Sequence, residues 1–376
     1  MNNNLCLKGT AIVINRDGSI ASVHDIGPKI NKQSYVTTTI KNAKGEIIRT
    51  RTTAMKSFVA NLLHFLYYHC TAATSSGIKD TAGNTHSSVC AEFDLTGDAA
   101  DSTHGIHIGT DSTTPAATDY AMAAKIAHGT GAGQMSYGAT TVGSCAVDGN
   151  NYKLTVTRSF TNSSGGPITV KEAGLVFKFT ATPSLYYLIA RDLINGVTGY
   201  VVANGQTIDI TYTIYIVSAN GFTQQFLKLL RVGFNDASAE ALTDTTGASI
   251  TSVSPIYGFS IRALAADDAY GVVIGTSDAA IDAALYCLGT KLLTASFTHQ
   301  VWESAAVAVV SDTTSFVLKR TFTNVSGGAI TVEEAGIYGF GKGPGHYVML
   351  ARTLTGGIVV GDSQSIQISY TFEVTT

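Results

Sequence analysis

One chain carries the same sentence twice. Arg158 to Phe179 reads RSFTNSSGGPITVKEAGLVFKF, and Arg320 to Phe340 reads RTFTNVSGGAITVEEAGIYGF. With these aligned, further stretches fall into step. GIHIGTDS (Gly105 to Ser112) meets GVVIGTSD (Gly271 to Asp278), and LIARDL (Leu188 to Leu193) meets MLARTL (Met349 to Leu354). GQTIDITYTIYI (Gly205 to Ile216) meets SQSIQISYTFEV, and SFVANLLHFL (Ser57 to Leu66) meets GFTQQFLKLL (Gly221 to Leu230). A fused ancestral unit of about 160 residues explains the pattern. Two long copies do not make a solenoid, whose repeats are typically about 20–45 residues. The expected organisation is an N-terminal segment of strands or a docking arm over residues 1–53, then similar units over 54–217 and 218–376.

Each unit opens with apolar residues at helical spacing. Phe58, Leu62, Phe65 and Leu66 share a stripe, as do Phe222, Phe226, Leu229 and Leu230. That spacing predicts one short amphipathic helix per unit, packed on its own sheet. The period then changes to two. In LTVTRSF, Leu154, Val156, Arg158 and Phe160 alternate with Thr155, Thr157 and Ser159. Ile208, Ile210, Tyr212, Ile214 and Ile216 do the same near Gly205, and Ile366, Ile368, Tyr370, Phe372 and Val374 repeat it. Clean alternation implies one buried and one wet face, as in an antiparallel sheet. The intervening NSSGG and NVSGG supply turn chemistry, since Asn bonds its own backbone and Gly takes positive φ without steric cost. The fold class expected is mainly β: two tandem similar antiparallel β-sandwich domains. Charged residues are only 14% of the chain against roughly 25% in an average soluble domain, with 38 glycines, which suits sheets and tight turns better than long solvated helices.

The repeated Glu of the EAG motif sits among inward positions. Val170, Glu172 and Gly174 share a strand face, as do Val332, Glu334 and Gly336. Ile189, Arg191 and Leu193 share another, as do Leu350, Arg352 and Leu354. A buried carboxylate needs a cation, so an internal pair is expected in each unit: Glu172 with Arg191, and Glu334 with Arg352. Arg158 and Arg320 are rival partners, because they too lie among apolar neighbours. Such a pair fixes register more than it adds net stability. A β-bulge at EAG would turn the Glu outward.

The search for chemistry finds little. GxSxG, phosphate-loop and HExxH patterns are missing from the sequence, and no second acid recurs beside the Glu. No catalytic, cofactor-binding or metal-ligating residue is assigned, and the chain is expected not to be an enzyme. HGTGAG (His128 to Gly133) reads as a loop. His104 and His107 point to opposite faces of a strand, and their counterparts are Tyr270 and Val273, which argues against a shared ion. Cys6, Cys70, Cys90, Cys145 and Cys287 are odd in number and scattered, so free thiols are expected. The net charge of −3 gives no footprint for nucleic acid, and no basic block suits an anionic membrane. The N-terminus lacks the basic start and long apolar run of a signal peptide, so maturation in a cytoplasm is expected. A single tryptophan weighs against a sugar cleft, although 17 tyrosines could substitute.

Three elements in fixed order carry a resemblance: the short helix SFVANLLHFL; the loop GIHIGTDSTTPAATDY; and RSFTNSSGGPITVKEAGL followed by LIARDL and a Gly-Gln strand. Together they resemble a diffuse group of structural proteins of tailed bacteriophages: tail, fibre, head-surface or minor virion proteins. The resemblance implies a virion component, made in the host cytoplasm, whose partners are copies of itself and other virion proteins. The alternative is a carbohydrate- or receptor-binding surface module that engages a host glycan. The second loop, IGTSDAAIDAALY, departs from the pattern by lacking the Pro, which implies a different contact. The segment TAIVINRDGSIASVHDIG reads as a hairpin around RDGS.

Overall fold

A computed structural model describes residues 5–26, 34–55, 58–73, 77–86, 94–148, 151–180, 183–217, 221–235, 240–254 and 258–375. Cys90, Ser57 and the 217/218 boundary's second residue lie outside these. The chain is mainly β, in several antiparallel sheets, with two α-helices among the described residues. In chain order the principal elements are β1 (Cys6–Ile14), β2 (Ile20–Asp25), β3 (Tyr35–Lys41), β4 (Ile47–Ala54), α1 (Ala60–Thr71), β5 (Gly105–Gly109), β6 (Asn151–Thr161), β7 (Glu172–Phe179), β8 (Leu185–Leu193) and β9 (Thr207–Val217). Then follow α2 (Gln224–Asn235), β10 (Gly271–Gly275), β11 (Glu303–Val310), β12 (Thr313–Asn324), β13 (Ile330–Gly343), β14 (His346–Val360) and β15 (Ser365–Thr375).

Two large sheets carry the alternating strands. One runs β2-β1-β15-β12 and continues through β11 and the short strand Phe297–His299. The other contains β6-β9-β3-β4, with short strands on the far side of β6. Their two central pairs match: Arg158 lies opposite Ile210, and Arg320 opposite Ile368. Two three-stranded sheets, β8-β7-β5 and β14-β13-β10, match equally well. Glu172 lies opposite Gly109 in one, and Glu334 opposite Gly275 in the other. Here the alternation expected from the sequence gives way: Glu172 to Phe177 are all buried, on both faces. The reason is a helix on the outer side. Val59 donates its N–H to Ile189 O and Asn61 bonds Leu188 O, so α1 is strapped to β8.

The helices do more than cover their own sheets. In α1 only Tyr68 is not buried, so no wet face exists. Its near side packs Phe65 against Phe177, with ring centroids 4.2 Å apart. Its far side packs Tyr67 on Phe316 of β12, at 5.5 Å. Backbone bonds cross in both directions. Cys70 O near the end of α1 accepts Ile261 N–H at 3.1 Å, and Phe234 O near the end of α2 accepts Leu95 N–H at 2.8 Å. Those are orphan carbonyls of helix ends, satisfied by the opposite half of the chain. One apolar cluster accordingly runs from Leu7 through both helices to Val374.

The described residues of the N-terminal segment are mostly strand. They form two hairpins, and each extends a different large sheet. The RDGS hairpin, β1–β2, pairs through β1 with β15, Cys6 opposite Glu373. The second, β3–β4, pairs through β3 with β9, Thr39 opposite Asp209. Leu7, Ala11 and Val13 of β1, with Ile26 after β2, are buried by this placement. Full burial of an aliphatic side chain contributes about 1.5–3 kcal/mol. A chain lacking residues 1–26 should therefore lose several kcal/mol, and hydrogen exchange should show Ser365–Thr375 losing protection while Thr207–Val217 retains it.

Burial also makes α1 acid-sensitive. Desolvation lowers His64 to about 4 and His69 to about 3. The unfolded chain takes up these protons near pH 6.5, whereas the folded chain does not. Stability is thus complete above pH 6.5 and falls as the pH drops toward 4. The slope of midpoint against pH in that window should be shallower in His69→Leu than in the parent.

Candidate functional site

The least ordinary feature of the interior is its arginines. Arg158, Arg191, Arg320 and Arg352 are among the largest fully enclosed side chains, each no more than 2% exposed. They occupy two kinds of setting.

Arg191 on β8 donates from Nε to Glu172 Oε2 at 2.6 Å, and Arg352 on β14 does the same to Glu334 Oε2 at 2.6 Å. The pairing follows from register, because Gly174 lies opposite Arg191 and Gly336 opposite Arg352, one pleat from each Glu. The second carboxylate oxygen reaches sideways to a surface loop. Glu172 Oε1 accepts the Ala124 N–H at 2.9 Å, and Glu334 accepts those of Thr290 at 3.1 Å and Gly289 at 3.3 Å. Glycine is required opposite each Glu: a Cβ at Gly109 or Gly275 would sit 2.2 or 2.5 Å from the carboxylate.

Beyond the Glu the two centres differ. Arg191 Nη1 also meets Asp119 Oδ2 at 2.8 Å, and its Nη2 meets Thr113 O at 3.1 Å and Asp111 at 3.6 Å. The loop IGTDSTTPAATDY is thus pinned from beneath by one guanidinium. In the matching loop, Leu285 stands where Asp119 does and Ser277 where Asp111 does. Arg352 Nη1 bonds only Ala280 O, at 3.2 Å, and Nη2 has no hydrogen-bond partner among the described residues. Sequence reasoning placed the Glu–Arg contact but assigned no partner to Asp119. The signal was there, an acidic residue in one loop and Leu in the other.

Arg158 and Arg320, the rival partners, touch neither Glu. They reach from the large sheets to backbone carbonyls of the facing strands and loops. Arg158 bonds Gly138 O at 2.7 Å, His104 O at 2.9 Å, Ile106 O at 3.1 Å, Asp98 O at 3.0 Å and Asp101 O. Arg320 bonds Gln300, Tyr270, Val272, Leu264 and Asp267 carbonyls. A guanidinium has five N–H donors, and each of these arginines meets five acceptors. Burial lowers both to about 10, so they stay charged at neutral pH.

The remaining sequence candidates take ordinary places. His104 sits between Asp101 at 3.1 Å and Asp94 at 3.5 Å, and His107 is buried on the strand Gly105–Gly109. No group of three or more metal-ligating side chains occurs among the described residues. His128 accepts the Tyr137 N–H at 3.1 Å, closing the Gly-rich segment as a loop. Cys6, Cys70, Cys145 and Cys287 are free thiols. A cleft of about 370 Å³ lies beside the pinned loop, lined by Thr53, Ala54, Thr114, Pro115, Asp192, Leu193 and Gly196. The arrangement as a whole anchors loops; both oxygens of Glu172 and of Glu334 are already engaged. Among the described residues no helix is long and apolar enough to cross a membrane. Comparison with family models, curated proteins and solved structures gives no match.

The asymmetry gives a testable order. Removing the charge of Glu172 leaves Arg191 two further carboxylates, whereas removing that of Glu334 leaves Arg352 none among the described residues. An uncompensated buried charge costs about 3–5 kcal/mol. Both Glu172→Gln and Glu334→Gln should lower the denaturation midpoint, and Glu334→Gln should lower it more. Equal losses would mean the outer aspartates contribute nothing.

Proposed function

We propose that this chain is a non-enzymatic structural protein of a bacteriophage virion, built into the tail or the head surface by symmetric contacts between copies. In this reading the chain is two tandem sandwich units produced by duplication. Each pairs a large sheet with a three-stranded one, and the first fifty residues lend one hairpin to each unit. The observation that carries the proposal is the pair of free sheet edges this creates. Among the described residues β2 and β4 pair on one side only. Both outer strands show apolar side chains to solvent: Ile20 is 64% and Val23 61% exposed, Ile47 65% and Ile48 53%. Unpaired strand edges are templates for another chain, and proteins that stay monomeric blunt them. Two like edges on one chain suit a closed ring, in which three chains present six similar units. The internal arginine clamps support the same reading, since they hold surface loops in fixed positions.

Native mass spectrometry of the full chain over a concentration series tests this. A closed ring of identical chains is expected, and Ile47→Lys with Ile48→Lys should shift the distribution toward monomer with the fold intact by circular dichroism. A parent chain that remains monomeric at all concentrations and is not found in assembled particles would end the proposal.

A further inference from the structure

The two three-stranded sheets share a register around Glu172 and Glu334, yet the space beside them is filled differently. Beside β13, Tyr338 fills the space between sheet and loop. Its ring packs with Val273, Leu288 and Met349 in a small satellite core. Its hydroxyl accepts the Leu288 N–H at 2.6 Å, and Lys291 Nζ lies 5.9 Å from the ring centroid. The register fixes the matching residues: Gly271 lies opposite Tyr338, and Gly105 opposite Val176. So Val176 stands for Tyr338. By the same alignment His107 stands for Val273, Met122 for Leu288 and Lys125 for Lys291.

A valine where the other half has a tyrosine leaves a hole. A cavity of about 200 Å³ occurs there, lined by Thr81, Thr103, His107, Ala121, Met122, Lys125 and Val176. Four of those seven are the counterparts of Tyr338 and its neighbours. A cavity of about 150 Å³ suffices for benzene in an apolar site, so a substituted six-membered ring fits. This cavity is not apolar throughout. His107 is 3% exposed, and its Nε2 has no hydrogen-bond partner among the described residues. Leaving such an atom unpaired in the interior is costly, and a ligand hydroxyl would relieve it. Lys125 is exposed at the rim and donates to Ser102 O at 2.9 Å, which places its ammonium near the opening. Desolvation, and then the charges of Lys125, Arg158 and His104, keeps the His107 imidazole well below its usual pKa. It is neutral, and its Nε2 can accept or donate according to tautomer.

We propose that this cavity is a binding site for a phenol ring, held by Met122 and Val176 on its faces, His107 Nε2 at its hydroxyl and Lys125 over its π-cloud. The ring reproduces, from outside, what Tyr338 supplies from within the other half. A free phenolic compound and a tyrosine side chain of a neighbouring polypeptide offer the same chemistry.

The test uses the full chain with ¹³C-labelled methionine methyl groups and p-cresol as probe. Addition of p-cresol should shift the Met122 methyl resonance saturably, and toluene should bind at least about tenfold more weakly because it cannot partner His107. Val176→Tyr should abolish the shift by filling the hole. Where that variant folds poorly, His107→Val, which copies the other half, should remove the preference for p-cresol over toluene. N-acetyl-tyrosinamide separates the sources: binding as tight as p-cresol shows that the mouth admits a polypeptide's tyrosine, and exclusion shows a free phenol only. An unmoved Met122 methyl, equal binding of toluene, or unchanged binding in Val176→Tyr overturns the proposal.

Discussion

Four enclosed guanidinium groups hold this structure's loops to its sheets. Few charges are present in the chain, and a large share of its buried polar capacity goes into them. Each extends from a strand and reaches backbone carbonyls or carboxylates of the facing loops and strands. Arg158 and Arg320 do so without any carboxylate, using five carbonyls apiece. A ring of carbonyl dipoles spreads the compensation for one charge over several residues, so the loop must adopt one path to supply it. Arg191 and Arg352 use a carboxylate for the inner half of the fork and the loop for the outer half. Desolvation offsets much of the Coulomb attraction in such pairs. Their contribution lies in geometry: a wrong register would bury a charge with nothing opposite it.

On this common frame the two halves diverge in what they enclose. Asp119 beneath one loop is Leu285 beneath the other, and among the described residues Arg352 Nη2 has no counterpart of the Thr113 carbonyl that Arg191 Nη2 meets. Tyr338 fills a gap that Val176 leaves open, while Val273 is exchanged for the polar His107. These changes sit at the loop side of the small sheets. The strands beneath keep the matching pairs Glu172 with Gly109, Glu334 with Gly275, Gly174 with Arg191 and Gly336 with Arg352.

Much of this was legible in the sequence, for particular reasons. The period-two pattern of Leu154 to Phe160 and of Ile366 to Val374 marks strands with one buried face, and both are found so. The inward count of Glu172 and Arg191 needed only strand geometry. The rivals could not be separated from it, because a sequence shows which residues are buried and not which carbonyls lie above them. The helix environment was misjudged for a similar reason. Apolar spacing in α1 reveals one packed side, but Asn61, His64, His69 and Thr71 are polar residues hidden by the opposite half, and no periodicity announces that. The destination of the first hairpin was likewise invisible. An alternating strand is compatible with any free edge.

The pairing of β1 with β15 sets an order on how the molecule is made. A ribosome releases β1 early, with Leu7 and Val13 bared, and its partner appears only some 350 residues later. Contacts of such long separation are slow to form because the intervening loop must close first. The emerging hairpin therefore stays an unmatched edge while the residues between it and β15 are made. Chaperones, or temporary shelter against β9, would have the longest window on this segment, and errors of swapping between nascent neighbours would begin there.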